Sequence, residues 1–220
     1  MTDVSQTEGV RNSSLSQHQY LLSWGEDNQG NELRWRVEQE KPGQTQLVTD
    51  DHSLQIDTAA GLTLWLDKPL SGSYRISFSR EVLTEGLPND RLSDVNMFWA
   101  ARDPLNPDLF TRQGELSSYN SLKLFYAGIG GNWNTTSRFR YYDGLGERHL
   151  LTEYTSADRL LRAGHPYQMV VEVADRQTRL LVDDEEWFTA AYETPPDSGY
   201  FGFRTVWSRQ IIRDFRLSQL

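Results

Sequence analysis

From Tyr20 onward the chain never holds one structural period for long. Runs of Val, Ile, Thr, Leu and aromatic residues alternate with polar positions, and each run ends at a turn cluster: EDNQGN, EKPGQ, TAAG, DKPLSGS, EGLPND, YDGLGE or PPDSG. Gly, Pro, Asn and Asp in such clusters supply the fixed or positive φ that tight turns need. Period-two alternation with this punctuation predicts antiparallel strands, at 33–38, 53–57, 62–65, 74–82, 95–102, 122–129, 137–142, 167–173, 178–182, 186–192, 199–205 and 210–218. No forty-to-fifty-residue unit recurs, so the pattern points to an all-β, two-sheet antiparallel sandwich or jelly roll and not to a propeller. Helix should be scarce: a turn near 157–161 and an irregular or short helical stretch at 108–118.

The bulk numbers fit one such domain. At 220 residues, with 37% hydrophobic and 12% aromatic side chains, the chain can fill a two-sheet core. Residues 1–19 are polar and read as a flexible arm, leaving 20–220 as a single domain. No apolar run is long enough to cross a membrane, and the start has neither the basic nor the apolar region of an export signal. The expected location is the cytoplasm, or the periplasm if a leader was removed. The absence of cysteine excludes disulfides, zinc-thiolate sites and thiol catalysis. A net charge of -9 argues against nucleic acid as a partner, because phosphate-tracking surfaces need a positive field.

Three blocks carry a resemblance: SDVNMFWAARDP, LFYAGIGGNWNTTSRFRYYDG and TVWSRQIIRDFRL. Together with the meander HPYQMVVEVADRQTRLLVDDEEWFTA and the closing GYFGFRTVWSRQ, they resemble bacterial YesU-like proteins. These form a jelly-roll group within the concanavalin A-like lectin/glucanase superfamily and occur among saccharide-degradation genes. The similarity runs from about Trp24 to the end. It implies that fold and a carbohydrate ligand, without supplying a mechanism. The superfamily's Glu-x-Asp-x-x-Glu hydrolase strand does not occur here, and the acidic run Asp183, Asp184, Glu185, Glu186 falls at an expected hairpin turn. The alginate-lyase pairing of a Gln-x-His strand with a Tyr-and-Lys strand is not matched either, since Lys123 and Tyr126 lack that spacing. No cofactor is expected; a structural calcium on loop carboxylates is the one ion the resemblance allows.

Strand periodicity turns these blocks into a candidate surface, because residues two apart share a face. Asn134, Thr136, Arg138, Arg140 and Tyr142 form one set, with Phe139 and Tyr141 pointing into the core. Two arginines and a phenol suit a planar carboxylate. In 95–102 the set Val95, Met97, Trp99 and Ala101 belongs to the core, leaving Asp94 and Asn96 on the other side. Trp133 and Trp207 sit in Gly/Asn and Ser/Arg contexts between strands, where an aromatic can stack on a sugar ring. Arg204 shares a face with Gly202, whose missing side chain leaves room at the sheet. Of the histidines, His149 alone is considered as a proton carrier.

The enzyme reading is a lyase that β-eliminates a uronic-acid-containing glycan or oligosaccharide. Arg138 and Arg140 would neutralise the carboxylate, Tyr142 or Tyr126 would move the proton, and Asn96 or Asn134 would orient the carboxylate. The alternatives are a non-catalytic, lectin-like binding module on the same face or a glycoside hydrolase using Asp94. A chain without an attached catalytic domain inclines the reading toward the enzyme. Sugar identity, linkage and oligomeric state are not readable.

Overall fold

The computed structural model describes residues 16–174, 176–192 and 198–220. Among them are thirteen strands: β1 Gln19–Glu26, β2 Glu32–Gln39, β3 Thr45–Thr49, β4 Ser53–Leu66, β5 Tyr74–Val82, β6 Val95–Arg102, β7 Lys123–Gly130, β8 Thr136–Asp143, β9 Arg148–Tyr154, β10 Tyr167–Ala174, β11 Gln177–Val182, β12 Glu185–Ala191 and β13 Tyr200–Gln219. The helical segments described are turns of three or four residues. The expected arm at 1–19 lies outside the described residues up to position 15. Beyond that, His18 already exchanges backbone and ring hydrogen bonds with Gln39.

Two long strands make the architecture. The first half of β13 pairs with the second half of β4 and with β6, while its second half pairs with the start of β4 and with β5. Both strands therefore pass from one layer into the other, at a register shift between Val206 and Ser208 on β13 that faces Thr58 to Gly61 on β4. Sheet one runs β3-β4-β13-β5-β10-β11-β12 and sheet two runs β1-β2-β4-β13-β6-β7-β8-β9, all antiparallel. TAAG is thus a bend within a strand and not a turn between strands, which merges two expected pairs of strands into β4 and β13. Bulges are the usual device for such a corner.

The inner faces interdigitate. Phe203 of sheet two meets Phe78 of β5 at 4.9 Å, Trp35 meets Phe215 at 5.1 Å, and Phe139 stacks on Phe188 of β12 at 5.4 Å. The indole of Trp99 donates across the gap to Thr178 at 2.7 Å. A second, smaller cluster lies on the outer face of sheet two, where residues 103–122 fold over it: Trp65, Phe98, Ala101, Leu109, Tyr119, Leu122, Leu124 and Tyr142 are all buried there. Ala101 was expected beside Trp99. It belongs to the outer cluster because β6 bulges between Trp99 and Arg102, with Ala100 at φ 50.

At the corner one inward position of β5 carries a cation. Arg80 follows Ile76 and Phe78 in the alternation and is fully buried. It donates to Gln210 Oε1 at 2.7 Å, to the Asn96 carbonyl at 2.7 Å and to the Arg204 carbonyl at 3.0 Å. Burial lowers its pKa to about 9, with Asp94 opposing that shift. We predict that Arg80→Met destabilises the fold by on the order of 3–5 kcal/mol, because three buried acceptors lose their donor. Urea unfolding checks this, and an unchanged midpoint would contradict it.

Candidate functional site

Register alone assembles the outer face of sheet two. Across it, Thr63, Arg204, Asn96, Gly128, Arg138 and Glu153 lie in one row, each opposite the next. The neighbouring row holds Trp65, Gly202, Phe98, Tyr126, Arg140 and Leu150. Residues from six strands and from distant parts of the sequence therefore share one surface. Arg138 and Arg204 are on the same face, three inter-strand spacings or about 14 Å apart.

Several side chains from the sequence reading are occupied elsewhere. Arg204 is 2% exposed; it donates to Thr63 Oγ1 at 3.0 Å and to the Gly114 carbonyl at 2.6 Å, under residues 103–122. The room left by Gly202 is filled by Trp65, whose ring would lie 2.6 Å from an added Cβ. Asn134 sits in a left-handed turn before β8, and its amide clasps the backbone N–H and carbonyl of Leu161. Tyr142 is buried, its hydroxyl taken by Arg148, and burial raises its pKa. His149 pairs with Tyr141, on the opposite face from Arg140, and contacts Asp143 at 3.1 Å. Asp94 accepts from Asn96 Nδ2 at 2.7 Å and from Thr205 and the Val206 N–H, and it pairs with Arg91.

What remains forms a coherent patch. The bond to Asp94 orients the Asn96 amide so that its buried Oδ1 has no hydrogen-bond partner. The Tyr126 ring leans over Gly128, where an added Cβ would lie 2.4 Å from the phenol oxygen and 2.9 Å from Asn96 Oδ1. Burial, first, and then the charge of Asp94 push the Tyr126 pKa far up, so the phenol keeps its proton. Next to Tyr126, Arg140 is partly buried and its Nε makes no hydrogen bond. Arg138 differs, being paired with Glu153.

Trp133 and Trp207 form the rim. They meet edge to face at 5.4 Å and remain 67% and 38% exposed. Arg91 lies 5.4 Å from both rings and donates to the Trp207 carbonyl at 2.9 Å. Trp207 belongs to β13, at the bulge, and not to a loop. Both tryptophans have positive φ, 59 and 44, a strain of order 1–3 kcal/mol each for a bulky residue. Sequence reasoning missed Arg91, which no spacing singles out in the EGLPND turn region, and Arg80, which the alternation of β5 does reveal.

A separate open cleft of ≈ 920 Å³ lies beside Trp24, Phe215 and the turn at Asp50 to His52. None of the expected site residues lines it. Its rim holds Glu26, Asp27, Glu32, Asp50, Asp51 and Asp214 against Arg75 and Arg216, an unfavourable field for an anion. Asp27 and Asp50 serve there as turn acceptors for Asn31 and for His52 and Ser53. Among the described residues no group of three or more His, Asp or Glu side chains is arranged to hold a metal.

Residues 56–215 match the family model described as Domain of unknown function (DUF6250). The chain belongs to this family. No curated protein sequence matches it. Among solved structures, it is similar to a Bacillus subtilis protein of unknown function with a galectin-like fold, at 19% identity and TM-score 0.66 over 84% of this chain and 89% of that one. It is also similar to the carbohydrate binding module CBM66 from Bacillus subtilis, at 8% identity and TM-score 0.53 over 80% and 96%. A prokaryotic β-1,3-1,4-glucanase (lichenase) derived from a mouse hindgut metagenome matches at 14% identity and TM-score 0.52 over 85% and 92%. These likenesses establish the fold of this DUF6250 member as a concanavalin A-like sandwich.

The same face contains an acid held by the overlying segment. Glu38 is buried and accepts from the Tyr119 hydroxyl at 2.5 Å and the Trp65 indole at 3.1 Å. Burial raises its pKa to about 7 against the lowering effect of those bonds and of Arg112. Its folded pKa thus exceeds the unfolded value, so its contribution to stability is complete below the ordinary carboxylate range and lost as pH rises through about 7. The expected result is a fall in unfolding free energy between about pH 5 and about pH 8 that Glu38→Gln abolishes. Equal pH slopes for the two proteins would refute this assignment.

Proposed function

We propose that the outer face of sheet two binds a saccharide carrying a carboxylate, with the anion at Arg140 and a sugar ring against the Trp133 and Trp207 rim. The observation that carries this reading is Arg140 itself: a partly buried guanidinium beside two tyrosines, its Nε without an acceptor, in a protein whose net charge is -9. Unsatisfied buried donors are uncommon, and a planar carboxylate is the ligand that guanidinium geometry suits. Exposed, strained tryptophans at the rim are the complement a pyranose face requires. The fold shared with a carbohydrate binding module and a glucanase, and the YesU-like resemblance of 93–104, 124–144 and 205–217, support a saccharide as the ligand.

Recognition is supported more directly than turnover. β-Elimination needs a base beside the carboxylate-bearing carbon. Of the three groups considered, Tyr142 is buried and His149 lies on the other face, so a lyase on this scaffold rests on Tyr126. That phenol holds its proton, which suits the acid step on the leaving oxygen better than proton abstraction. A hydrolase built on Asp94 is less well supported, because that carboxylate is spent on four protein donors.

The expected outcome for Arg140→Ala is at least a tenfold loss of affinity for uronate oligosaccharides, on the order of 2 kcal/mol for a charge-assisted contact. Trp133→Ala should weaken uronate and neutral oligosaccharides alike, by roughly 1 kcal/mol or more. Calorimetry with both variants reads these effects, and wild-type affinity in Arg140→Ala would sink the proposal. Mass analysis of the same mixtures separates the two classes of function: a product lighter by water at its non-reducing end means elimination through Tyr126.

A further inference from the structure

Residues 103–122, between β6 and β7, cross the outer face of sheet two and lie directly on it. The carbonyl of Gly114 would stand 2.2 Å from a Cβ placed on Gly61, and a Cβ on Gly114 would come within 2.5 Å of the Glu40 nitrogen. Backbone therefore touches backbone, with no space for a sugar ring between them. Farther along, the Tyr119 ring packs on Phe98 at 5.4 Å and on Trp65 at 6.2 Å.

The segment is pinned from below and braced within. Arg204 holds the Gly114 carbonyl, and Glu38 holds the Tyr119 hydroxyl and the Arg112 N–H. Gln19 donates to the carbonyls of Phe110 and Arg112 at 2.8 and 3.0 Å. The Arg112 guanidinium binds Asp103 at 2.8 Å and Ser121 Oγ at 3.0 Å, joining the two ends of the segment. These anchors come from β1, β2 and β13, and the cluster beneath the segment reaches Leu124 of β7 and Tyr142 of β8, so the closure comes up to Tyr126.

Resting on the saccharide reading above, we infer that this strap makes the site blind at one side, so that it takes the end of an acidic saccharide chain and not an internal stretch. The terminal sugar sits against Tyr126, which packs at the margin of the cluster beneath the strap, with its carboxylate on Arg140, and the strap stops any further residue. The remainder of the chain leaves over Trp133 and Trp207. From the start of β8 at Thr136 to Arg140 is four strand residues, about 13 Å, so contact ends within a short oligosaccharide.

Calorimetry with galacturonate as monomer, dimer, hexamer and polymer tests this. Affinity should rise about tenfold or more from monomer to dimer and then change by no more than about twofold. Polymer and hexamer titrations should superimpose when plotted per chain end. An affinity that keeps climbing from dimer to hexamer, or titrations that superimpose per sugar residue, would overturn the end-binding inference while leaving the Arg140 site intact. Absence of binding at every length overturns the saccharide reading for this uronate, and the inference with it.

Discussion

One buried cation holds the corner on which the candidate site depends. β4 and β13 both pass from one sheet to the other, and Arg80 of β5 fills the angle, donating to the carbonyls of Asn96 and Arg204 and to Gln210. Gln210 in turn donates to the Asp94 carbonyl at 3.1 Å and to Thr205 and Ser208 at 3.0 Å each. Without these donors the carbonyls freed by the bulge would be buried and unpaired, at about 1–3 kcal/mol apiece. With them, Trp207 is held outward at the corner, and Asp94 is set to orient Asn96.

The charge pattern follows from the same arrangement. The protein is acidic as a whole, yet rows of opposed strands bring Arg138, Arg140, Arg148 and Arg204 to one face. Glu153 neutralises Arg138, Tyr142 engages Arg148, and the strap covers Arg204. Arg140 is left facing the open part of the sheet. That selection comes from tertiary structure: the four arginines are indistinguishable by residue type, and only their partners separate a structural cation from one available to a ligand.

The sequence made much of the sandwich legible and little of the site. β5 and β6 begin and end where alternation predicts, because both faces of an interior strand are constrained. The missed strands β1, β3 and β9 each have one hydrogen-bonded neighbour. Such edge strands are half solvated and carry no strong apolar period; His149 and Leu150 in β9 are exposed on successive positions. Parity placed Arg138, Arg140 and Tyr142 on one face, but it cannot tell that a distant loop buries Tyr142. The local signal at Asn134 was also incomplete, since its left-handed turn releases it from the β8 alternation. Arg80 was readable as a cation at an inward position, although its partners lie more than a hundred residues away in Arg204 and Gln210.

The central claim, that the ligand face is the outer surface of sheet two at Arg140, can be tested by resonance assignment of the arginine Nε–H and the seven tryptophan indoles, followed by titration with a uronate disaccharide. The account predicts that Arg140 Nε–H and the indoles of Trp133 and Trp207 shift together along one saturation curve while Trp24, beside the acidic cleft, stays still. Movement of Trp24 with Arg140 unchanged would contradict it and transfer the site to that cleft.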